Sequence, residues 1–192
     1  MAKVTCKGLT YAKFASGGDE APVVYTGGKA KIDYLCKVDM GENRANVKEH
    51  ADGHQIDSEQ TMNEATCNLE LANNDTDIKQ DILGHIAGEA AGELVVTDAD
   101  APFVGIGFIL ANRFKGTVTY EAYWYYKMQF VSAGTSTGTK TEQVEFQHET
   151  INGSGSGVKL AAGAPVRFQA HLDGCTSEAD ARAWLNAKAG IS

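Results

Sequence analysis

Residues Gly116–Phe130 read GTVTYEAYWYYKMQF. From Val118 onward every second residue is apolar: Val118, Tyr120, Ala122, Trp124, Tyr126, Met128 and Phe130. Between them stand Thr117, Thr119, Glu121, Tyr123, Tyr125, Lys127 and Gln129, which are mostly polar. Strand side chains alternate between faces, so the stretch predicts a long strand with one face in a core and the other at solvent or a partner. At roughly 3.3 Å per residue it spans about 45 Å, well beyond an ordinary strand. A strand of that length belongs to a large curved sheet or to one shared between subunits.

Working outward, the chain supplies further strands. Lys3 to Ala15 alternates, Ser16–Asp19 makes a turn, and Val23–Thr26 is a short strand ended by Gly27-Gly28. Lys31 to Met40 places Ile32, Tyr34, Cys36, Val38 and Met40 on one side. Its expected hairpin partner is Thr61 to Ala72, where Ala65, Cys67, Leu69 and Leu71 share a face. Phe103 to Leu110, FVGIGFIL, is apolar throughout and predicts a central strand buried on both faces. Gly105 and Gly107 on one side suggest close packing against a helix. Lys140–Thr150 and Val166–Leu172 complete the strands, with Gly153–Gly157 read as a flexible turn or short linker.

Two helices are expected. Asn74–Asp77 opens one that runs from Asp77 to Ala87, weakened by Gly84. Ser177 opens another that ends at Ala189, with Asp180 completing a box-like cap and Gly190 as the stop. The 192 residues show neither an internal repeat nor a second core. The reading is a single domain over residues 1–192, mainly β, a sandwich or barrel with a flanking helix and a C-terminal helix near 177–189.

The polar segment Gly41–Gln60 contains the turn signal Asp52-Gly53. From Asp39 to Glu59 six acids outnumber two bases, Arg44 and Lys48, a local charge of −4. It reads as a long hairpin arm or loop, about 41–60, standing off the core; a plain solvated loop is the alternative. Arg44, Lys48, Asp52, Gly53 and Asp57 are its candidate contacts with other subunits.

A net charge of −8 argues against a nucleic-acid binder held by phosphate contacts. With 43% apolar and 22% charged residues, disorder is not expected. No apolar run reaches the roughly eighteen residues of a membrane span, and the amino terminus lacks a signal-peptide block. A cytoplasmic site of synthesis is therefore expected, where Cys6, Cys36, Cys67 and Cys175 would be small buried hydrophobes and not disulfides.

Catalytic patterns are weak. His50 and His54 have the spacing of a helical metal pair, but Asp52-Gly53 between them favours a turn. Asn73-x-Asp75-x-Asp77 resembles a calcium-loop start, yet Ile78 and Gly84 stand where Gly and Glu are needed, which favours helix capping. The Asp98-x-Asp100 pair precedes Pro102 in a loop. His171, Asp173 and Cys175 match no nucleophile elbow. GxSxG occurs at Gly153–Gly157 without the strand–helix context it requires. No enzyme, metal or cofactor is expected. Tyr123, Trp124 and Tyr125 could form a carbohydrate platform, which makes a receptor-binding β-sandwich the alternative function; buried subunit packing suits aromatics equally.

The ordered blocks APFVGIGFIL (Ala101–Leu110), TYEAYWYYKMQF and TKTEQVEFQHETINGSGSG (Thr139–Gly157), with GLTYAKF and KIDYLCKVDM before them, resemble the major tail proteins of siphophages. The resemblance covers most of residues 3 to 157. It implies a sandwich or barrel with a flanking helix, homohexameric rings stacked into a virion tail tube, and no catalytic residues. It also implies a tape-measure protein inside the tube, tail terminator and distal tail proteins at its ends, and transient passage of double-stranded DNA. A compact chain of this length has a diameter near 40 Å, so six in a ring leave a hole about one subunit wide. Glu121 and Tyr123, on the polar face of the long strand, are the expected lumen residues.

Overall fold

The computed structural model describes residues 2–51, 54–134 and 148–191. Asp52, Gly53 and the first part of the strand expected at Lys140–Thr150, with Val144 and Phe146, lie outside the described residues. In chain order come β1 (Ala2–Ser16), β2 (Val24–Lys31), β3 (Leu35–Ala51), β4 (His54–Leu71), α1 (Thr76–Asp81), β5 (Ile86–Ala87) and β6 (Leu94–Val95). Then follow β7 (Val104–Phe114), β8 (Thr117–Ser132), β9 (Glu149–Gly155), β10 (Gln169–Cys175) and α2 (Glu178–Ala189). The protein is mainly β, as its alternation requires.

One antiparallel sheet runs β2-β1-β7-β8-β9-β4-β3, and β10 joins β8 where β9 leaves off. The sheet curls until β3 lies against β1, where Cys6 Sγ meets the Cys36 carbonyl at 3.2 Å. The curl encloses one core built from β1, β3, β4, β7, β8 and β9: Leu9 and Tyr11, Leu35, the Ala65–Cys67–Leu69–Leu71 row, Ile106 and Phe108, Tyr125, Phe130 and Ile151. Ile78 and Ile82 of α1 cap it. A second core lies on the outer face, where Ala181, Leu185 and Ala189 of α2 cover Ile109, Ala122 and Trp124. The barrel-like expectation therefore holds, with a helix on each side of the sheet.

The long strand departs from simple alternation. Val104 pairs with Met128 but Ile106 with Tyr125, so Tyr126 and Lys127 stand opposite Gly105 alone. That is a β-bulge, which shifts the pleat by one residue. Before it, Trp124 and Tyr126 point to the α2 core while Tyr125 points into the curl; after it, Met128 and Phe130 point into the curl. Neither face of the strand's middle is at solvent: Trp124 is 0% and Tyr125 1% exposed.

Other corrections have equally local causes. Gly27-Gly28 does not end the second strand; the chain continues to Lys31 through a bulge, with Gly27 at φ +61°, which glycine takes without cost. Lys31–Met40 is not one strand: it breaks at Ile32–Tyr34, where Asp33 has φ +61°, and a bulge at Cys36 rephases the remainder. Leu35, and not Cys36, is therefore buried, and Cys36 is exposed. The first helix stops at Asp81 and leaves Ile86 exposed in the small β5–β6 hairpin. The Gly153–Gly157 segment is no linker: Gly153 and Gly155 are buried within and at the end of β9, under Phe130 and Met128.

Of the two glycines of β7, Gly107 is the one that seats a helix, and that helix is α2; Gly105 makes room for the Trp124 and Tyr25 rings. A Cβ on Gly107 would lie 2.6 Å from Leu185 Cδ2, and one on Gly105 2.5 Å from the Trp124 ring. Ser177 caps α2 by accepting from Asp180 N at 3.1 Å, and Gly190 ends it in the left-handed region. Trp124 Nε1 donates to Tyr25 Oη, whose own hydroxyl donates to the Tyr126 carbonyl at 2.7 Å, so the buried indole is satisfied.

Candidate assembly surfaces

The β3–β4 ribbon continues past the body of the sheet. β9 pairs with β4 only from Ala65 to Leu71, whereas β3 and β4 pair from Leu35↔Leu71 out to Ala51↔His54. Beyond Ala65 the ribbon has no third strand among the described residues. From Asn43 to Lys48 and from Asp57 to Asn63 every residue but Ala45 and Met62 is exposed. Val47 stands 67% exposed on it. The expected arm is thus a two-stranded ribbon.

Its charged residues are only lightly engaged. Arg44 holds Glu42 through Nε at 2.9 Å and Nη2 at 2.7 Å. Asp57 Oδ1 accepts from Ser58 N at 2.7 Å, and Lys48 is exposed. Where the ribbon leaves the body, Met40, Gly41, Glu42, Tyr123, Tyr125 and Gln169 line a cleft of about 200 Å³. Gln169 Nε2 reaches Glu42 Oε1 across it at 3.4 Å.

Glu121 and Tyr123 sit at one edge of this region. Glu121 is half-buried and accepts from Asn112 Nδ2 and from the Tyr123 hydroxyl, the latter at 2.9 Å. Tyr123 stacks between Phe108 and His171, with centroids 5.9 and 5.8 Å away. Burial, and then the bond to Glu121, pushes its phenol up to about 12.

A second constellation was not foreseen in the sequence. Lys13, Lys29 and Lys31 of β1 and β2 face Asp75, Asp77 and Asp81 around α1. Lys13 and Lys29 hold Asp81 at 2.6 and 2.8 Å; Lys31 holds Asp75 at 2.7 Å and Asp77 at 2.8 Å. The Tyr34 hydroxyl donates to Asp75 at 3.0 Å. Desolvation works against ionisation at Asp75 and Asp81, yet the lysine hydrogen bonds prevail and hold both carboxyls below their usual range. At Asp77 the Lys31 and Lys29 bonds dominate outright, in the same direction. Asp75 Oδ1 also accepts from Ile78 N, so the calcium-like triplet is a helix cap whose charge is already met by lysine.

Catalytic groupings do not come together. His171 pairs with Tyr123 and lies exposed, while Cys175 pairs with Tyr120 and is buried in the α2 core, on the other face of the sheet. Cys36 Sγ lies 3.7 Å from His148 Nδ1. Desolvation raises the Cys36 thiol, and burial pushes Cys67 up to about 12, so both are poor nucleophiles. Among the described residues no three His, Cys, Asp or Glu side chains are grouped to hold a metal ion, and no helix is long and apolar enough to cross a membrane.

No known family and no curated protein sequence matches this chain.

Proposed function

We propose that this chain is a structural subunit of a phage tail tube, assembling as hexameric rings that stack around a tape-measure protein and later conduct DNA. The observation that carries the reading is the β3–β4 ribbon. Two strands alone are marginal in water and persist when a further surface covers them. From Asn43 to Lys48 and from Asp57 to Asn63 this ribbon buries almost nothing in its own subunit, and a neighbouring copy supplies the missing surface. Among the described residues β2, β3 and β10 each pair on one side only. Free edges of this kind invite pairing with another chain. The resemblance of Ala101–Gly157 to siphophage tail proteins names the assembly, and the net charge of −8 suits a conduit along which DNA slides.

Arg44, Lys48, Asp52, Gly53 and Asp57 serve the contact between subunits or rings, and Glu121 with Tyr123 faces the lumen. Glu121→Lys is expected to hinder DNA ejection without blocking assembly; unchanged infectivity would remove Glu121 from the lumen. The carbohydrate reading loses its support, because Trp124 and Tyr125 are buried and Tyr123 is stacked between two rings. Negative-stain microscopy and sedimentation of the purified protein, alone and with a tape-measure partner, test the proposal. Rings or tubes are expected. Strictly monomeric protein at high concentration under both conditions would reject it.

A further inference from the structure

Opposite ends of β7 carry surfaces that match one another. At one end Phe114 pairs with Thr117, leaving Lys115 and Gly116 as a two-residue turn with φ of 47° and 88°. Positive φ at both positions makes this a type I′ hairpin turn, whose first position ordinarily takes Asn, Asp or Gly. Lys115 occupies it instead, its ammonium 5.5 Å from the centre of the Phe114 ring. Phe114 is 54% and Val118 42% exposed, and Arg113 is exposed beside them. Residues 113–118 therefore present two cations and two apolar side chains, and no acid.

At the other end, β5 and β6 form a separate two-stranded sheet. Ile86, Val95 and Val96 are 53%, 38% and 72% exposed on and beside it. Glu89, Glu93, Asp98 and Asp100 are exposed around them, and residues 86–103 contain no Lys or Arg. The end of the segment is fixed to the main sheet: Gln129 Nε2 donates to the Ala101 carbonyl at 2.7 Å and Phe14 N to the Phe103 carbonyl at 2.9 Å. A tiny sheet with apolar side chains in water marks a contact site.

We propose that the basic, Phe114-tipped β7–β8 turn of one copy docks on the acidic β5–β6 hairpin of the next. The occupant is a second copy because the two surfaces are opposite in charge and alike in apolar content. They cannot meet within one chain, since the length of β7 holds them about 33 Å apart. A contact between different patches at opposite ends joins copies head to tail, which builds a ring or a filament and not a closed pair. The inference rests on the assembly reading above and assigns it a contact distinct from the β3–β4 ribbon.

Charge reversal at each end tests it. Arg113→Glu with Lys115→Glu makes both ends acidic; Glu89→Lys with Asp98→Lys and Asp100→Lys leaves Glu93 as the one acid against three lysines at the hairpin and makes both ends basic. Each of these two variants alone is expected to stay unassembled by sedimentation and negative stain. Mixed in equal amounts they are expected to assemble, because each turn then meets a hairpin of opposite charge. Lys115→Asn suits the positive φ, keeps the turn intact, and is expected to raise the protein concentration needed for assembly about tenfold. Wild-type tubes together with charge-reversed variants that assemble alone would overturn this contact and leave the tube reading standing. So would a mixture no better than its parts, or an unchanged threshold for Lys115→Asn. Wild-type protein that never assembles would overturn both.

Discussion

Gly153 of β9 lies under the ring of its cross-strand partner Phe130: a methyl built on it would overlap the ring and come 2.7 Å from the Cys67 carbonyl oxygen. Three strands, β4, β9 and β8, meet at this point, and the absent side chain is what lets Phe130 fill the curl. Gly153→Ala is expected to destabilise the fold by about 1–3 kcal/mol, the usual cost of overpacking a tight core. Chemical denaturation measures it; a loss below about 0.5 kcal/mol, ordinary for surface positions, would refute the close approach.

Leu185 anchors α2 to the sheet at the bare backbone of Gly107. It is 0% exposed. Leu185→Ala is expected to cost about 2–5 kcal/mol, since the rigid strand beneath cannot move up to fill the space. Thermal melts read this directly, and a shift within scatter of the wild type would count against a packed α2.

The lysine–aspartate lattice around α1 makes stability acid-sensitive. The carboxyls of Asp75, Asp77 and Asp81 are lowered, so their contribution is complete above the ordinary aspartate value near 3.9 and is lost as pH falls through their folded values. The melting temperature should hold steady from about pH 7 to pH 5 and drop below about pH 4. Asp81→Asn leaves Lys13 without its anion, costing about 1–3 kcal/mol at neutral pH, and should flatten that drop. Parallel pH profiles for wild type and variant would sink the argument.

Deleting Asn43 to Ser58 removes most of the ribbon beyond β9 while sparing the buried row from Ala65 to Leu71. The shortened chain should keep its circular dichroism and cooperative melt but form no tubes. Tubes of normal length in the electron microscope would show that the ribbon has no part in assembly.

The four thiols should separate by exposure. Cys36 is exposed, whereas Cys67 is wholly buried with its pKa pushed up to about 12. Alkylation followed by mass spectrometry should label Cys36 first, faster as pH rises, and Cys67 only after unfolding. Early labelling of Cys67 would contradict its place in the core.

Much of this architecture could be read from local pattern. The row Ala65, Cys67, Leu69, Leu71 alternates cleanly because β4 carries no bulge there and only one of its faces meets the core. FVGIGFIL announced burial on both faces, which holds from Val104 to Leu110 while Phe103 stays exposed ahead of β7, and Ser177 with Gly190 fixed the ends of α2 through backbone groups that any helix must satisfy. What escaped the sequence depends on partners. A bulge at Tyr126–Lys127 exists only relative to Gly105 on the adjacent strand, so parity along β8 alone grouped Met128 and Phe130 with Trp124 and Tyr126, whereas they share the curl with Tyr125. The Gly/Ser run 153–157 has low strand propensity, and it is the pairing with β4 on one side and β8 on the other, with Phe130 and Met128 lying across it, that makes β9 a strand. The lysines facing α1 are separated from their aspartates by more than forty positions, and no spacing rule joins them. The arm was legible as polar and long, but its two-stranded form follows from a register that extends to Ala51↔His54.

The one-residue stutter in β8 has a thermal consequence. Trp124 is seated beneath α2 and Phe130 inside the curl, yet a single backbone carries both. Neither compartment can come apart without dragging the shared strand out of the other, so calorimetry should record one endotherm and not two.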